Sequence, residues 1–487
     1  MMQRVSSVFL TITLLASQGW ATCGGGGGGG MGGMSRGAGM SGSQPNEPNQ
    51  TTYPVPWKVV QPNDPPLKDG LAVYWLPSSQ AELEKSSLRF SQVLSDYATQ
   101  CITLGIVDQR MPLGQKLAPS DKLPVVVLAQ PDGTTLGKAE NKDGFLRVDQ
   151  VEKLLQSEIK RRDNALKERM DGAKSMAKAG DNPGAITEYR AVLEQKCLFP
   201  KRAKDAVKEL KKLGVSDVAE VPQGLNFDPA VMRRVQAAMR QGLKAEDDAN
   251  YTEAERLYQS AQRMDPADPA PLRYLGELYR HHLGDWGKAR QTFNAILAMP
   301  ADPLSRAVAL HGLGKMTIHE GEFQKGLALI EESMREYPLA LAYRNLAVYW
   351  NSEGDRAKAD FYTQAALKLE PRDPYNLIFA AAFLAGNGHT DQALKIAREN
   401  EALLPASYNL AAIYAQAGQK GKALALLRRH FFEYERYQAV RSKEMMEARV
   451  DAVFASLMQD PAFLALTQEA DGKLPMRMSP NAKPAGD

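Results

Sequence analysis

The sequence predicts two fold classes in one chain: an α/β domain, then an all-α solenoid of stacked helix pairs. Three observations carry this. Between residues 66 and 165, apolar runs of strand type alternate with stretches of helical apolar spacing. From about residue 166 the strand signals vanish. In their place small residues recur at Ala254, Ala289, Gly326, Ala359, Ala393 and Ala423, at intervals of about 34 residues, the length of a helix-turn-helix repeat.

The bulk numbers set the frame. A chain of 487 residues has room for about two to four domains. It is 44% hydrophobic and 24% charged, with a formal net charge of +3. That balance excludes a nucleic-acid or membrane binder driven by global charge. Three cysteines, Cys23, Cys101 and Cys197, form no Cys-x-x-Cys pair, and an odd number leaves one thiol over in an exported protein.

The N-terminus reads as an export signal. Arg4 supplies a positive start, Val5 to Ala16 an apolar stretch too short to span a bilayer, and Gly19-Trp20-Ala21 a small-residue cleavage site. Cys23 leaves a second reading open, because a cysteine after such a stretch and before a glycine tether resembles a bacterial lipoprotein. Trp20 and Thr22 fit its consensus poorly. Residues 22 to 65 are rich in Gly, Met, Ser and Pro and read as a mobile leader. Gly28, Gly30 and Gly33 match a dinucleotide-binding pattern by chance, with no strand before them and no helix after.

In the α/β stretch, Leu71 to Leu76 reads as a strand that breaks at Pro77. Ala81 to Ala98 follows as a helix. Cys101 to Val107 is an apolar, β-branched run of buried-strand type, in which Cys101 reads as a buried, inert thiol. "KLPVVVLAQPDGTTLGKAE" reads as a hairpin around Pro131-Asp132-Gly133. Val148 to Arg161 closes the unit as an amphipathic helix. This order, with Trp75 and Pro77 at the strand-to-helix bend and Leu123-Pro124 entering the hairpin, resembles the thioredoxin fold. The resemblance implies a cis bond at Pro124 and a redox pair between Pro77 and Glu82. The bend instead reads Pro77-Ser78-Ser79-Gln80, and a serine hydroxyl cannot form or exchange a disulfide. Ser78, Ser79 and Pro124 thus mark a degenerate redox position.

The repeat half shows several offsets agreeing at once. Five residues before each small-residue marker stands Ala249, Gly284, Gly321, Gly354, Gly388 or Gly418, and twelve after four of them stands Pro266, Pro338, Pro371 or Pro405. Small residues let paired helices approach, glycine serves the turn between them and proline ends the second helix. These features resemble the tetratricopeptide (TPR) repeat, which implies stacking into a superhelix. Ala185 and Tyr189 sit at the same offsets in a degenerate earlier copy, and Cys197 beside it reads as structural. His430 to Met458 reads as a long helix, and "VFASLMQDPAFLALT" as a cap.

Chemistry is harder to find. The six histidines form no His-Glu-x-x-His, and no zinc spacing, Walker loop or Gly-x-Ser-x-Gly elbow is present. The run Lys201 to Lys212 reads as a solvated helix face. No catalytic residue, metal or cofactor is expected. The TPR resemblance implies a groove lined by first helices: Met239, Leu243 and Glu246; His311 and Lys315; Arg344, Val348 and Asn351; and Tyr408. The expected partner is a protein or peptide of the cell envelope, with no nucleic acid and no transmembrane segment. The expected layout is a signal peptide (1–21), a leader (22–65), a thioredoxin-like domain (66–165), a degenerate repeat (166–227), TPR repeats (228–429), capping helices (430–470) and a tail (471–487). The expected function is an exported, non-enzymatic scaffold of the periplasm or envelope. A thioredoxin-superfamily enzyme using Cys101 and a self-assembling structural protein are the alternatives.

Overall fold

The computed structural model describes residues 52–468, apart from 66, 68, 142, 219, 249, 372, 405–406 and 435–437. The expected signal peptide, Cys23, most of the leader and the tail lie outside the described residues. The described residues form two compact units, one holding residues 52–280 and 285–342, the other 281–284 and 343–468.

The first unit opens with a five-stranded sheet in the order β1-β3-β2-β4-β5. The strands are β1 (Lys58–Val59), β2 (Leu71–Leu76), β3 (Ile102–Ile106), β4 (Val125–Ala129) and β5 (Thr135–Glu140). β1 and β2 run parallel to β3, while β4 is antiparallel to both β2 and β5. β2 and β4 are buried along their whole length, as continuous apolar runs require of central strands. Gly133 makes the hairpin turn at φ +81°.

The expected single helix over Ala81–Ala98 is broken into α1 (Gln80–Lys85), a 3₁₀ turn (Ser87–Arg89) and α2 (Gln92–Ala98). The reason is local: Ser79, Ser86 and Ser91 each accept a backbone N–H as an N-cap, so each starts a new helix. A short α3 (Pro112–Leu117) starts on its proline. The closing helix α4 runs well past Arg161, from Val148 to Lys178.

The leader also ends earlier than its composition suggests. Tyr53, Val55 and Trp57 are buried. Val55 N–H donates to the Arg89 carbonyl at 2.8 Å, Ser91 N–H to the Tyr53 carbonyl at 3.0 Å, and the Trp57 indole to the Leu88 carbonyl at 2.6 Å. Two large aromatics bury enough apolar area to order a proline-containing segment.

Helices α5 (Asn182–Leu193) and α6 (Pro200–Lys212) follow α4. Then come pairs α7/α8 (Pro229–Asp247, Tyr251–Met264), α9/α10 (Pro269–Leu278, Trp286–Ala298) and α11/α12 (Pro303–His319, Phe323–Glu336). The second unit continues with α13/α14 (Ala340–Ser352, Arg356–Leu369), α15/α16 (Pro374–Gly386, Thr390–Asn400) and α17/α18 (Tyr408–Gln416, Lys420–Arg429). All six small-residue markers are buried: Ala254, Ala289, Gly326, Ala359, Ala393 and Ala423. The turns are built alike. Gly321, for example, sits at φ +94° and Gly388 at φ +87°, a region that disfavours any side chain. Many first helices start Asp-Pro, with Asp228, Asp268, Asp302 and Asp373 as N-caps and the proline in the first turn.

At the C-terminus the expected long helix is interrupted. A π-helical turn (His430–Tyr434), α19 (Gln438–Val450) and a 3₁₀ stretch (Ala452–Leu457) share that span, before α20 (Pro461–Thr467). Asp451 breaks it by capping the 3₁₀ stretch through the Val453 N–H. Phe431, Phe454 and Phe463 are buried with Tyr408, Ala411 and Leu427 in one apolar cluster.

Candidate functional site

The bend after β2 follows from its sequence. Pro77 cannot extend the ladder, and Ser79 caps α1 by accepting the Glu82 N–H at 3.1 Å. Ser78 and Ser79 are exposed to solvent, whereas Trp75 beneath them is buried against Trp57 in an edge-to-face pair 5.5 Å apart. The Leu123–Pro124 bond is cis, as the thioredoxin resemblance implies. Asn141 holds this loop by donating to the Lys122 and Pro124 carbonyls at 2.8 and 2.9 Å. Burial pushes the Glu82 carboxyl up to about 7, against the lowering effect of the Ser78 backbone and the Ser86 hydroxyl. The bend thus presents two hydroxyls, a carboxyl that titrates near neutrality and no sulfur.

Cys101 is neither buried nor a free thiol, contrary to the reading of its apolar run. It is exposed, sits at φ +57° just before β3, and is disulfide-bonded to Cys197, with 5.9 Å between the Cα atoms. A sulfur held in this bond cannot act as a thiolate. The run is apolar because Ile102, Leu104 and Ile106 point into the core, while Cys101 stands outside the strand.

The first-helix residues fall into two groups. In the first unit, Met239, Leu243 and Glu246 on α7 and His311 and Lys315 on α11 are all buried. Glu246 accepts the Tyr258 hydroxyl at 2.8 Å, and that ring lies where a Cβ on Gly242 would stand. In the second unit, Tyr408 is buried, donates to Asp451 at 3.2 Å and meets Phe454 edge-on. The α13 residues differ. Asn351 is exposed, Val348 and Arg344 are half-buried, and Arg344 donates to Asn376 Oδ1 at 2.9 Å.

One recurrent device is missing from the sequence reading. Arg273 on α9 donates to the Ser305 hydroxyl on α11 at 3.1 Å, and Arg344 on α13 donates to Asn376 on α15. Both bonds span 32 residues, and both acceptors stand three residues after an Asp N-cap, Asp302 or Asp373. An arginine on one first helix thus grips the first turn of the next. The signal available was a charged residue in the first helix paired with Asp-Pro-x-(Ser/Asn) one repeat later.

The comparisons with known proteins are distant. No protein-family model matches the chain. The "Protein CTR9 homolog" of Arabidopsis thaliana is 25% identical over a 228-residue alignment, with 37% of this chain and 21% of that protein covered. The chain therefore spans about a fifth of that relative's length. The solved structure of PilW, described as a widely conserved type IV pilus biogenesis factor, is 18% identical with a TM-score of 0.29. The match covers 51% of this chain and 98% of that one. The helix pairs, turn glycines and buried small residues themselves make the helical part TPR-like, an architecture suited to holding a protein partner. Among the described residues no helix is long and apolar enough to cross a membrane.

Proposed function

We propose that the chain is an exported, non-enzymatic scaffold that binds a protein or peptide through the first-helix face of its C-terminal unit. The observation that carries this is the contrast among nine candidate residues: only Arg344, Val348 and Asn351, all on α13, keep solvent exposure. Buried positions cannot meet a partner without repacking. Export is supported by the signal-like N-terminus and by the Cys101–Cys197 bond, since disulfides persist in oxidising compartments. The strand order, the cis bond at Pro124 and the cysteine-free bend support a thioredoxin-like domain kept without redox chemistry.

The test is capture from envelope extract by the full chain carrying Asn351→Arg with Val348→Glu. The partner captured by the unmodified protein should be lost, and a partner that survives refutes this placement. Insulin reduction by the same chain should show no thiol-dependent turnover.

A further inference from the structure

A second face carries a separate inference. Helix α6 has the sequence PKRAKDAVKELKK. Its Pro200, Ala203, Ala206 and Leu210 are buried, while Lys201, Lys204, Lys208, Lys211 and Lys212 are exposed. At 3.6 residues per turn those five lysines fall within an arc of about 100° and run about 15 Å along the axis. The other charges stand off that arc or are engaged. Arg202 is held by Asp163 of α4 at 2.7 Å, and Glu209 by Lys212 at 2.9 Å. Asp205 lies at the edge of the arc. Lys201, Lys204, Lys208 and Lys211 make no ion pair among the described residues.

We propose that this lysine face docks the protein on an anionic lipid surface. The chemistry separates that partner from the other polyanions. A protein partner would need an apolar or aromatic anchor at the centre of the patch, and the lysine arc holds none. Single-stranded nucleic acid would need aromatic rings for base stacking, and α6 has no aromatic residue. The disulfide also favours a compartment outside the cytosol. A membrane surface needs neither anchor nor ring, only several solvated cations on one face. The apolar side of α6 is already packed against the fold, so the helix cannot insert. The contact is therefore electrostatic and reversible. This inference shares with the proposed function only the placement outside the cytosol, and its variants lie on α6 rather than α13, so either can fail alone.

The test is sedimentation of the full-length chain with vesicles rich in phosphatidylglycerol, against vesicles of phosphatidylcholine alone. Binding should need the anionic lipid and disappear in high salt. Lys204→Gln, Lys208→Gln and Lys211→Gln together should weaken it by about fivefold per lysine, on the order of a hundredfold. A control triple at exposed lysines elsewhere, Lys85→Gln, Lys368→Gln and Lys395→Gln, should change it little. Absence of binding, equal binding to both vesicle types, or an equal loss in the control triple overturns the proposal.

Discussion

At Gly314 of α11 and Gly326 of α12 a single methyl group probes a helix approach in which each glycine faces the other's backbone. A Cβ added at 314 would lie 2.8 Å from both the Gly326 carbonyl oxygen and Ile330 Cγ1. One added at 326 would lie 2.5 Å from both the Gly314 carbonyl oxygen and Ile318 Cγ1. Ordinary contact begins at 3.4 Å, so Gly314→Ala must push two helices apart by about 0.6 Å against backbone that cannot swing aside. Overpacking of this kind costs about 1–3 kcal/mol. The helix preference for alanine returns up to ~1 kcal/mol. Gly314→Ala should therefore destabilise the first unit by about 1–2 kcal/mol, and Gly326→Ala by more. The double variant should cost less than the sum, because one separation of the helices accommodates both methyls. Gly172, inside α4, is the control: its Cβ would meet nothing within 4 Å, so Gly172→Ala should stabilise by up to ~1 kcal/mol. Denaturant unfolding gives the free energies, and hydrogen exchange in α11 and α12 localises them. If Gly314→Ala behaved like Gly172→Ala, close helix approach would not be the reason for glycine there.

Two further outcomes follow from the junction between the sheet domain and the first repeats. Burial, and then the nearby Asp268, Asp265 and Asp302, push the Asp96 carboxyl well above its usual range. The folded state therefore keeps a proton that the unfolded chain releases near pH 4. Stability from this group is complete below that pH and falls as pH rises. Asp96→Asn should flatten the decline and raise the unfolding midpoint at pH 8. An unchanged pH profile would refute this reading. The Cys101–Cys197 bond spans 96 residues, for which chain entropy allows a loss of about 4–5 kcal/mol on opening. Cys197→Ser should lower the unfolding midpoint and make it insensitive to dithiothreitol. A reductant-sensitive midpoint in that variant would show that the bond is not the source.

Elements set by local chemistry were legible in the sequence. The turn glycines and the hairpin at Asp132-Gly133 each follow from a backbone conformation that few residues accept. Elements set by distant packing were not. Tyr53 lies in a segment of leader-like composition, yet its hydroxyl reaches Asp268 at 2.6 Å across 215 residues. Cys101 and Cys197 carry no spacing that names them as partners. The buried state of His311 and Lys315 was equally hidden, because helical phase tells which residues share a face but not what covers it.

The acid-rich junction has a physical origin in the repeat itself. Asp268 caps α9 through the Ala270 N–H at 2.8 Å, and Asp302 caps α11 through Ser305 N–H at 3.0 Å. Asp265 accepts from Ala267 and Asn226. Each carboxylate satisfies backbone donors that would otherwise be orphaned, and stacking one repeat on the next brings the caps within electrostatic reach. Tyr53 adds its hydroxyl to Asp268, and burial keeps that phenol protonated well above its usual range. Asp96 differs from its neighbours: it stands on α2, in the sheet domain, and caps no helix among the described residues. Two of the four buried aspartates, Asp268 and Asp302, are therefore fixed by the geometry of helix starts, and Asp265, at the C-terminal end of α8, by the loop N–H groups of Asn226 and Ala267. Asp96 is the one whose charge the fold could lose without orphaning a backbone donor among the described residues.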